Sequence, residues 1–501
     1  MRRPSFFSLA ACAWLCACAS VACKGAESPN KPEWQGPVQL GKTTSADRES
    51  VGITVYNQNF GLVREVRNVT LPVGRVSLEF RDVAATIQPE TVHIKSLTAD
   101  DALSIFEQDY RYDLLSPAKL LEKYVGKHVT LHRWDEKNAK EETFDAEVLS
   151  VEGGSPVFKM PDGSVTYGFP GRISFPELPA NLIAKPTLVW LLGSGAAKQK
   201  VEVTYLTQSI GWRADYVLAV SDDPKDPGAP LTGDLQGWVT LNNNSGASYE
   251  HAQLKLVAGD VQKIVTTPDN GYAFGDDKLA MTKAAEAPPS FKEEGFFEYH
   301  LYALDQPTDL LDNEQKQMSL LEGHGIKIDK KLIFSGNSYW YRSSYGGLLQ
   351  SNQKVGVFLD IMNEEKNHLG IPLPKGIVRV YKADSSGAKQ FIGEDQIDHT
   401  PRDEKVRVKM GEAFDVVADR KQTDWKPLGD CTSESAWEID LRNHKDTAEQ
   451  VEVDEPMDGD WTIVNSSLTP QKRDQFTMVF DVKIPAKGET KVTWRARVRW
   501  C

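Results

Sequence analysis

Alternation of apolar and polar positions dominates the chain and predicts strands almost throughout. VGITVYNQ, LVREVRNVTL, RVSLEFRDV and ETVHIKSL are short runs rich in branched residues, separated by Asn, Gly, Pro and Asp. Their spacing predicts the first part of an N-terminal β-sandwich over residues 49–115. The pattern changes at Ser116-Pro117, an N-cap followed by a first-turn proline, after which Leu120, Leu121, Tyr124 and Val125 mark a helical stripe.

Five short strand-like runs then follow (HVTLHRW, TFDAEVLSV, PVFKM, VTYGF and RISFPEL), which read as a small inserted β-barrel-like module over 116–180, of Sm-like or SH3-like type. Residues 181–225 return to the N-terminal β domain and enter the C-terminal region. Val201, Val203 and Tyr205 alternate with polar residues, Gly211 interrupts the pattern, and Tyr216, Leu218 and Val220 resume it. Trp212 reads as a packing anchor. A C-terminal β-rich domain spans 226–501, with GWVTLNNNSG and HAQLKLVAGDV joined by hairpin-like turns and a polar, mobile excursion near 262–292. DLLDNEQKQMSLLEG is either a short helix or an extended crossing segment; periodicity does not decide. The expected fold is mainly β, with tandem sandwich-like domains, the inserted barrel-like module and few helices.

Near the C-terminus, Phe476, Met478, Phe480, Val482 and Ile484 share one face of FTMVFDVKI. In VTWRARVRW, Val492, Trp494, Ala496, Val498 and Trp500 share a face opposite Arg495, Arg497 and Arg499. That arginine stripe either meets a carboxylate-rich partner or pairs with acidic residues on the neighbouring strand.

Composition narrows the function classes. The 501 residues carry 58 Lys and Arg against 71 Asp and Glu, a net charge of −13, so a nucleic-acid partner is disfavoured. Arg2 and Arg3 precede an apolar stretch from Phe6 to Cys23, which reads as a secretory signal over 1–23. Leu15-Cys16-Ala17-Cys18 resembles a lipobox and places a lipid anchor on Cys18; Cys23 and ordinary cleavage after Ala19 are the alternatives. Residues 24–48 have the composition of a flexible tether. The protein is thus expected to be exported, on the periplasmic face of the outer membrane if lipidated and otherwise periplasmic or secreted, with membrane attachment through the lipid alone. Cys431 and Cys501 are either paired or free in such an oxidising compartment.

The segments SIGWRADYVL, GWVTLNNNSG with LKLVAGDV, LGIPLPKGIVRVYKAD, GEDQIDHTP, GEAFDVVADRK and FTMVFDVKIPAKGETKVTW together resemble a bacterial envelope-associated family known only as a domain of unknown function, which includes mucoidy inhibitor A-like proteins. The resemblance covers about residues 200–500. It implies a secreted or envelope-associated β-rich protein, and it supplies no catalytic residues. The long coiled-coil insertion of some mucoidy-inhibitor-like relatives is missing here.

Chemistry is sparse. H-E-x-x-H, G-x-S-x-G, Walker-type and dinucleotide motifs are absent, and no cofactor is implied. GEDQIDHTPRDE, Gly393 to Glu404, places Glu394, Asp395 and Asp398 near His399; it reads as a metal or acid–base cluster or, better, as a polar turn between strands. SYWYRSSYGG gathers Tyr339, Trp340, Tyr341 and Tyr345, either a binding surface or an internally packed hairpin. These features favour a non-enzymatic interaction or structural protein of the envelope, with an unidentified protein or polymer as partner. The alternatives are a metal-dependent or carboxylate/His hydrolase acting on an envelope polymer, and a carbohydrate-binding protein that uses the aromatic loop.

Overall fold

A computed structural model describes residues 36–501 except 100, 137, 153–154, 180–181, 223–229 and 264–290. The signal, its cysteines and most of the polar excursion therefore lie outside the described residues. The described chain is mainly β, with one short α-helix, Pro117–Lys123, capped by the Ser116 hydroxyl accepting from the Lys119 amide.

The strands form four sheets. A four-stranded sheet runs in the order Gln39–Thr43, Gly74–Arg81, Thr187–Ser194, Leu103–Arg111, the first of them parallel to its neighbour. An eight-stranded mixed sheet includes Arg48–Tyr56, Phe60–Thr70 and Lys198–Gln208, with Tyr249–Ala258 parallel to the first of these. A thirteen-stranded sheet holds most of the C-terminal half.

The fourth sheet corrects the expected barrel. Its five strands, in the order Val165–Tyr167, Val157–Lys159, Lys140–Ser150, His128–Asp135, Arg172–Ser174, stay open. Closure requires the two end strands to pair with a suitable stagger. The two end strands, three residues each, pair only inwards and not with each other. Tyr124 and Leu121, from the helix and its C-cap, instead cover the core of Val129, Leu131, Ala146, Val148 and Phe158.

Three long strands, Glu314–Ser335, Gly347–Met362 and Lys405–Gly429, serve two cores in turn. Met318, Ile326 and Ile328 enter a first core shared with Trp190, Tyr205 and Leu254. Farther along the same strand, Leu332 and Phe334 enter a second core with Trp437, Phe480 and Trp494. The undecided DLLDNEQKQMSLLEG segment is extended from Glu314 onward. The interruption expected at Gly211 falls at Ser209, whose φ of 59° separates two strands. Gly211 continues the second strand opposite Asn242, and a Cβ there would meet the Asn59 Cα at 3.0 Å.

The expected hairpin after Trp238 is also corrected. Leu231–Asn243 and Tyr249–Ala258 belong to different sheets. Asn243 ties the corner between them: its Nδ2 donates to the carbonyls of Ala247 (2.9 Å) and Leu311 (3.0 Å), while its Oδ1 accepts from the Ser245 amide. The connection from Thr432–Asn443 to Glu449–Pro456 repeats the device: Asn443 donates to Thr447 and Pro485 and accepts from the Lys445 amide. Both amides satisfy carbonyls that the strand ladders abandon at the corner.

The first and second cores each also bury an arginine. Arg67 lies 3.6 Å from the Phe80 ring centroid, with Nε 2.7 Å from Glu65. In the second core Arg420 and Glu455 are both fully buried, with Nη1 and Oε1 2.5 Å apart. That approach is charge to charge rather than an aligned hydrogen bond, since both Nη atoms and Oε1 lack aligned partners. Arg420 Nε donates to Gln350, and its guanidinium stands over Phe334 (5.1 Å) and Trp340 (4.9 Å). Tyr341 donates to Glu455 Oε2 at 2.9 Å and accepts from Trp494 Nε1 at 3.2 Å. Gly336 leaves room for the carboxylate, which a Cβ there would meet at 2.5 Å.

Removing one partner of such a pair strands a buried charge, whereas replacing both by apolar groups is often neutral. Arg420→Ala is expected to lower folding stability by about 3–5 kcal/mol, and Arg420→Met with Glu455→Leu to recover most of that loss. Urea unfolding of the two variants beside the unsubstituted protein checks this; equal losses in the single and double variants would contradict it.

Candidate functional site

The GEDQIDHTPRDE run is resolved into strand and loop. Strand Lys389–Ile397 extends through Glu394 and Asp395, so half of the expected turn is paired backbone. The acidic side chains face separate partners: Glu394 pairs with Arg379 at 3.2 Å, Asp395 accepts from the Lys409 amide at 2.6 Å, and the exposed Asp398 stands 3.7 Å from Lys375. Among the described residues no group of three or more His, Cys, Asp or Glu is placed to hold a metal ion.

His399 is half-buried. Its Nδ1 accepts from the Lys375 amide at 3.1 Å, which puts the proton of the neutral ring on Nε2, 3.2 Å from the Asn57 amide. Nε2–H needs an acceptor there, and Asn57 Oδ1 is buried without a donor when turned away. The amide orientation that aims Oδ1 at Nε2 satisfies both groups. Neither ring nitrogen meets the carboxylate or serine that the hydrolase reading requires.

The aromatic loop is turned inward. Ser338–Arg342 is a 3-10 turn in which Trp340 and Tyr341 are buried against Arg420 and Glu455, as described above. Gln422 fastens the loop by accepting from the Tyr345 amide and donating to the Ser343 carbonyl. Tyr345 is half-buried against the same core, Tyr339 alone is exposed, and its ring lies at 72° to Trp340. The coplanar exposed pair that a sugar platform would use is not formed.

Cys431 and Cys501 are joined by a disulfide. Cys431 occupies the left-handed region, φ 56°, in the turn between Lys405–Gly429 and Thr432–Asn443, and its carbonyl accepts from the Trp500 amide. Cys18 lies outside the described residues.

Beside this disulfide the arginine stripe meets a shallow cleft of about 530 Å³, lined by Thr432, Asp460, Trp461, Lys472, Arg497 and Arg499 among others. The stripe divides. Arg495 is bound to Asp424 and Glu434, and Arg497 to Glu434, holding both carboxyls below their usual range. Arg499 makes no ion pair among the described residues. Asp460 stands across from it in register, yet the two side chains do not pair. Lys472, also without an ion pair among the described residues, stands 4.9 Å from the Trp461 ring centroid. Trp461 Nε1 donates to the Gln475 carbonyl and so fixes the facing loop. Gly459, at φ 59°, brings the preceding turn against the Arg499 carbonyl, which a Cβ would meet at 2.0 Å.

Sequence reasoning missed Lys472, Trp461 and Gly459. Alternation in DWTIV was signal enough for a strand, but nothing local indicates that Lys472 folds over Trp461. No protein-family model matches the chain, and no curated protein matches it.

Burial pushes the His399 imidazole below its ordinary value of 6.5, Lys375 acts in the same direction, and Asp260 and Asp398 oppose them. With the folded value depressed, the stabilisation is fully present above 6.5 and is lost as pH falls through the folded value. NMR titration of His399 is therefore expected to show a midpoint below 6.5, and His399→Gln to flatten stability against pH in that window. A midpoint at or above 6.5 would refute the neutral-ring assignment.

Proposed function

We propose that this chain is a non-enzymatic binding or structural protein of the bacterial cell envelope, exported and anchored through Cys18, that holds an anionic group in the cleft at Arg499 and Lys472. The observation that carries the binding reading is the unpaired state of those two cations. In a chain with 71 carboxylates against 58 basic side chains, counter-charges are in excess, and neighbouring Arg495 and Arg497 have taken theirs. A guanidinium left open in a concave surface is a ready donor to a carboxylate. The envelope assignment rests on the basic-then-apolar N-terminus, the lipobox-like residues and the resemblance over about 200–500. His399 and the aromatic loop, committed to internal partners, support binding over hydrolysis or sugar stacking.

The test is titration of the full mature protein with polyglutamate and with polylysine as the oppositely charged control. Polyglutamate is expected to bind, more weakly as salt rises, and the Arg499→Ala/Lys472→Ala variant to lose about tenfold or more in affinity. Unchanged affinity in that variant overturns the cleft assignment. Mass spectrometry of the mature N-terminus checks the anchor separately: a diacylglyceryl-modified Cys18 is expected, and an unmodified Ser20 defeats it.

A further inference from the structure

The strand Asp460–Ser466 closes one end of the thirteen-stranded sheet. It pairs with the C-terminal strand Gly488–Arg499 on one side, and among the described residues no strand pairs with its other side. A free edge carries alternate N–H and C=O groups that an extended chain can complete. A register shift between Ile463 and Asn465 interrupts this edge, leaving Asp460 to Ile463 as its regular part.

The two unpaired cations flank that segment on opposite faces. Arg499 projects on the same face as Asp460, its partner in register, and as Thr462, which stands opposite Arg497. Trp461 points to the other face, where it packs against the second core and carries Lys472. Side chains of an added strand also alternate between faces. Two consecutive acidic residues on such a strand would therefore serve the two cations separately, one on each face. A polysaccharide acid matches this less well: it has no backbone N–H row for the edge, and the Trp461 ring it would stack on is already covered by Lys472.

We propose that the edge Asp460–Ile463 receives an extended acidic peptide segment of a partner protein as an added strand, with consecutive carboxylates at Arg499 and Lys472. This rests on the anion-binding reading above and adds to it the class of partner and the mode of contact. The site is held in place before binding. The disulfide and the Trp500 amide fix the end of the arginine strand, Trp461 Nε1 fixes the Lys472 loop, and Gly459 permits the close turn. Such preorganisation lowers the ordering cost of association.

The test uses the full mature protein and three synthetic peptides: Thr-Val-Glu-Glu-Val-Thr with blocked ends, the same peptide with Gln-Gln at its centre, and a Glu-Glu form N-methylated at alternate residues. The Glu-Glu peptide is expected to bind and to slow hydrogen exchange of backbone amides within Asp460–Ile463. The Gln-Gln peptide, and the Arg499→Ala/Lys472→Ala variant with the Glu-Glu peptide, should each bind about tenfold or more weakly. N-methylation should remove binding while keeping the charge. Equal binding of the N-methylated peptide, binding without exchange protection, or tighter binding of a hexuronate oligosaccharide would overturn strand addition and leave anion binding standing. Failure of both polyglutamate and the Glu-Glu peptide to bind would overturn both readings. The substituted side chains are exposed, and an unchanged near-ultraviolet circular dichroism spectrum confirms that the variant is folded.

Discussion

The ion pair of Arg420 and Glu455, sealed from water inside the second core, sets the terms for the C-terminal half. Neither charge is tolerable in an apolar interior without neighbours that replace water, and those neighbours come from widely separated parts of the chain. Phe334 and Trp340 face the guanidinium, Gln350 accepts from Nε, and Tyr341 and the cleared space at Gly336 serve the carboxylate. Satisfying two charges thus consumes the aromatic turn Ser338–Arg342 and joins it to four strands, those of Phe334, Gln350, Arg420 and Glu455, at one point. Tyr341 also accepts from Trp494, tying the C-terminal strand into the same cluster. The strand that presents Arg499 to solvent is therefore registered, five residues upstream, against the buried pair.

This dependence explains what could be read from the sequence. Alternation in FTMVFDVKI and VTWRARVRW identifies the buried faces because a strand periodicity of two is a local property: Met478, Phe480, Val482, Ile484, Val492, Trp494, Ala496 and Val498 are all buried. Corners are not local in that sense. LNNNSGASYE reads as a hairpin because its turn residues fit one, whereas Asn243 is spent on carbonyls at Leu310 and Leu311, far along the chain. The inserted module shows a related limit. Five short strands are visible in its composition, but whether the sheet's two ends, Val165–Tyr167 and Arg172–Ser174, meet depends on stagger, and here they do not.

The partner of a charge is set by distant parts of the chain. In GEDQIDHTPRDE the density of acids suggests a site, yet strand alternation sends Glu394 and Asp395 to opposite sides, one to Arg379 and one to a backbone amide. His399 looks chemical in sequence and is structural in its contacts, its Nδ1 bound to a backbone amide and its Nε2 facing Asn57. The arginine stripe behaves in the reverse way. Three equivalent arginines in sequence become three different groups in space, because carboxylates lie beside the first two and none closes on the third.

The two ends of the thirteen-stranded sheet show why that difference bears on recognition. At one end, strand Lys389–Ile397 exposes Phe391 and Ile392, but its Glu394 and Asp395 are taken by Arg379 and the Lys409 amide, and its backbone is bent at Gly393, φ 154°. Bending an edge is an established way to discourage further pairing. At the other end, Asp460–Ser466 keeps a short regular segment and is flanked by two cations that the chain leaves unpaired. An edge open along its whole length would invite any extended chain, including another copy of itself. Restricting the opening to four residues and setting one positive charge on each face makes affinity conditional on sequence, because a strand without acids would desolvate Arg499 and Lys472 with nothing to replace water. The same cations that attract an acidic segment thereby exclude neutral ones, so a narrow edge supplies specificity without a deep pocket.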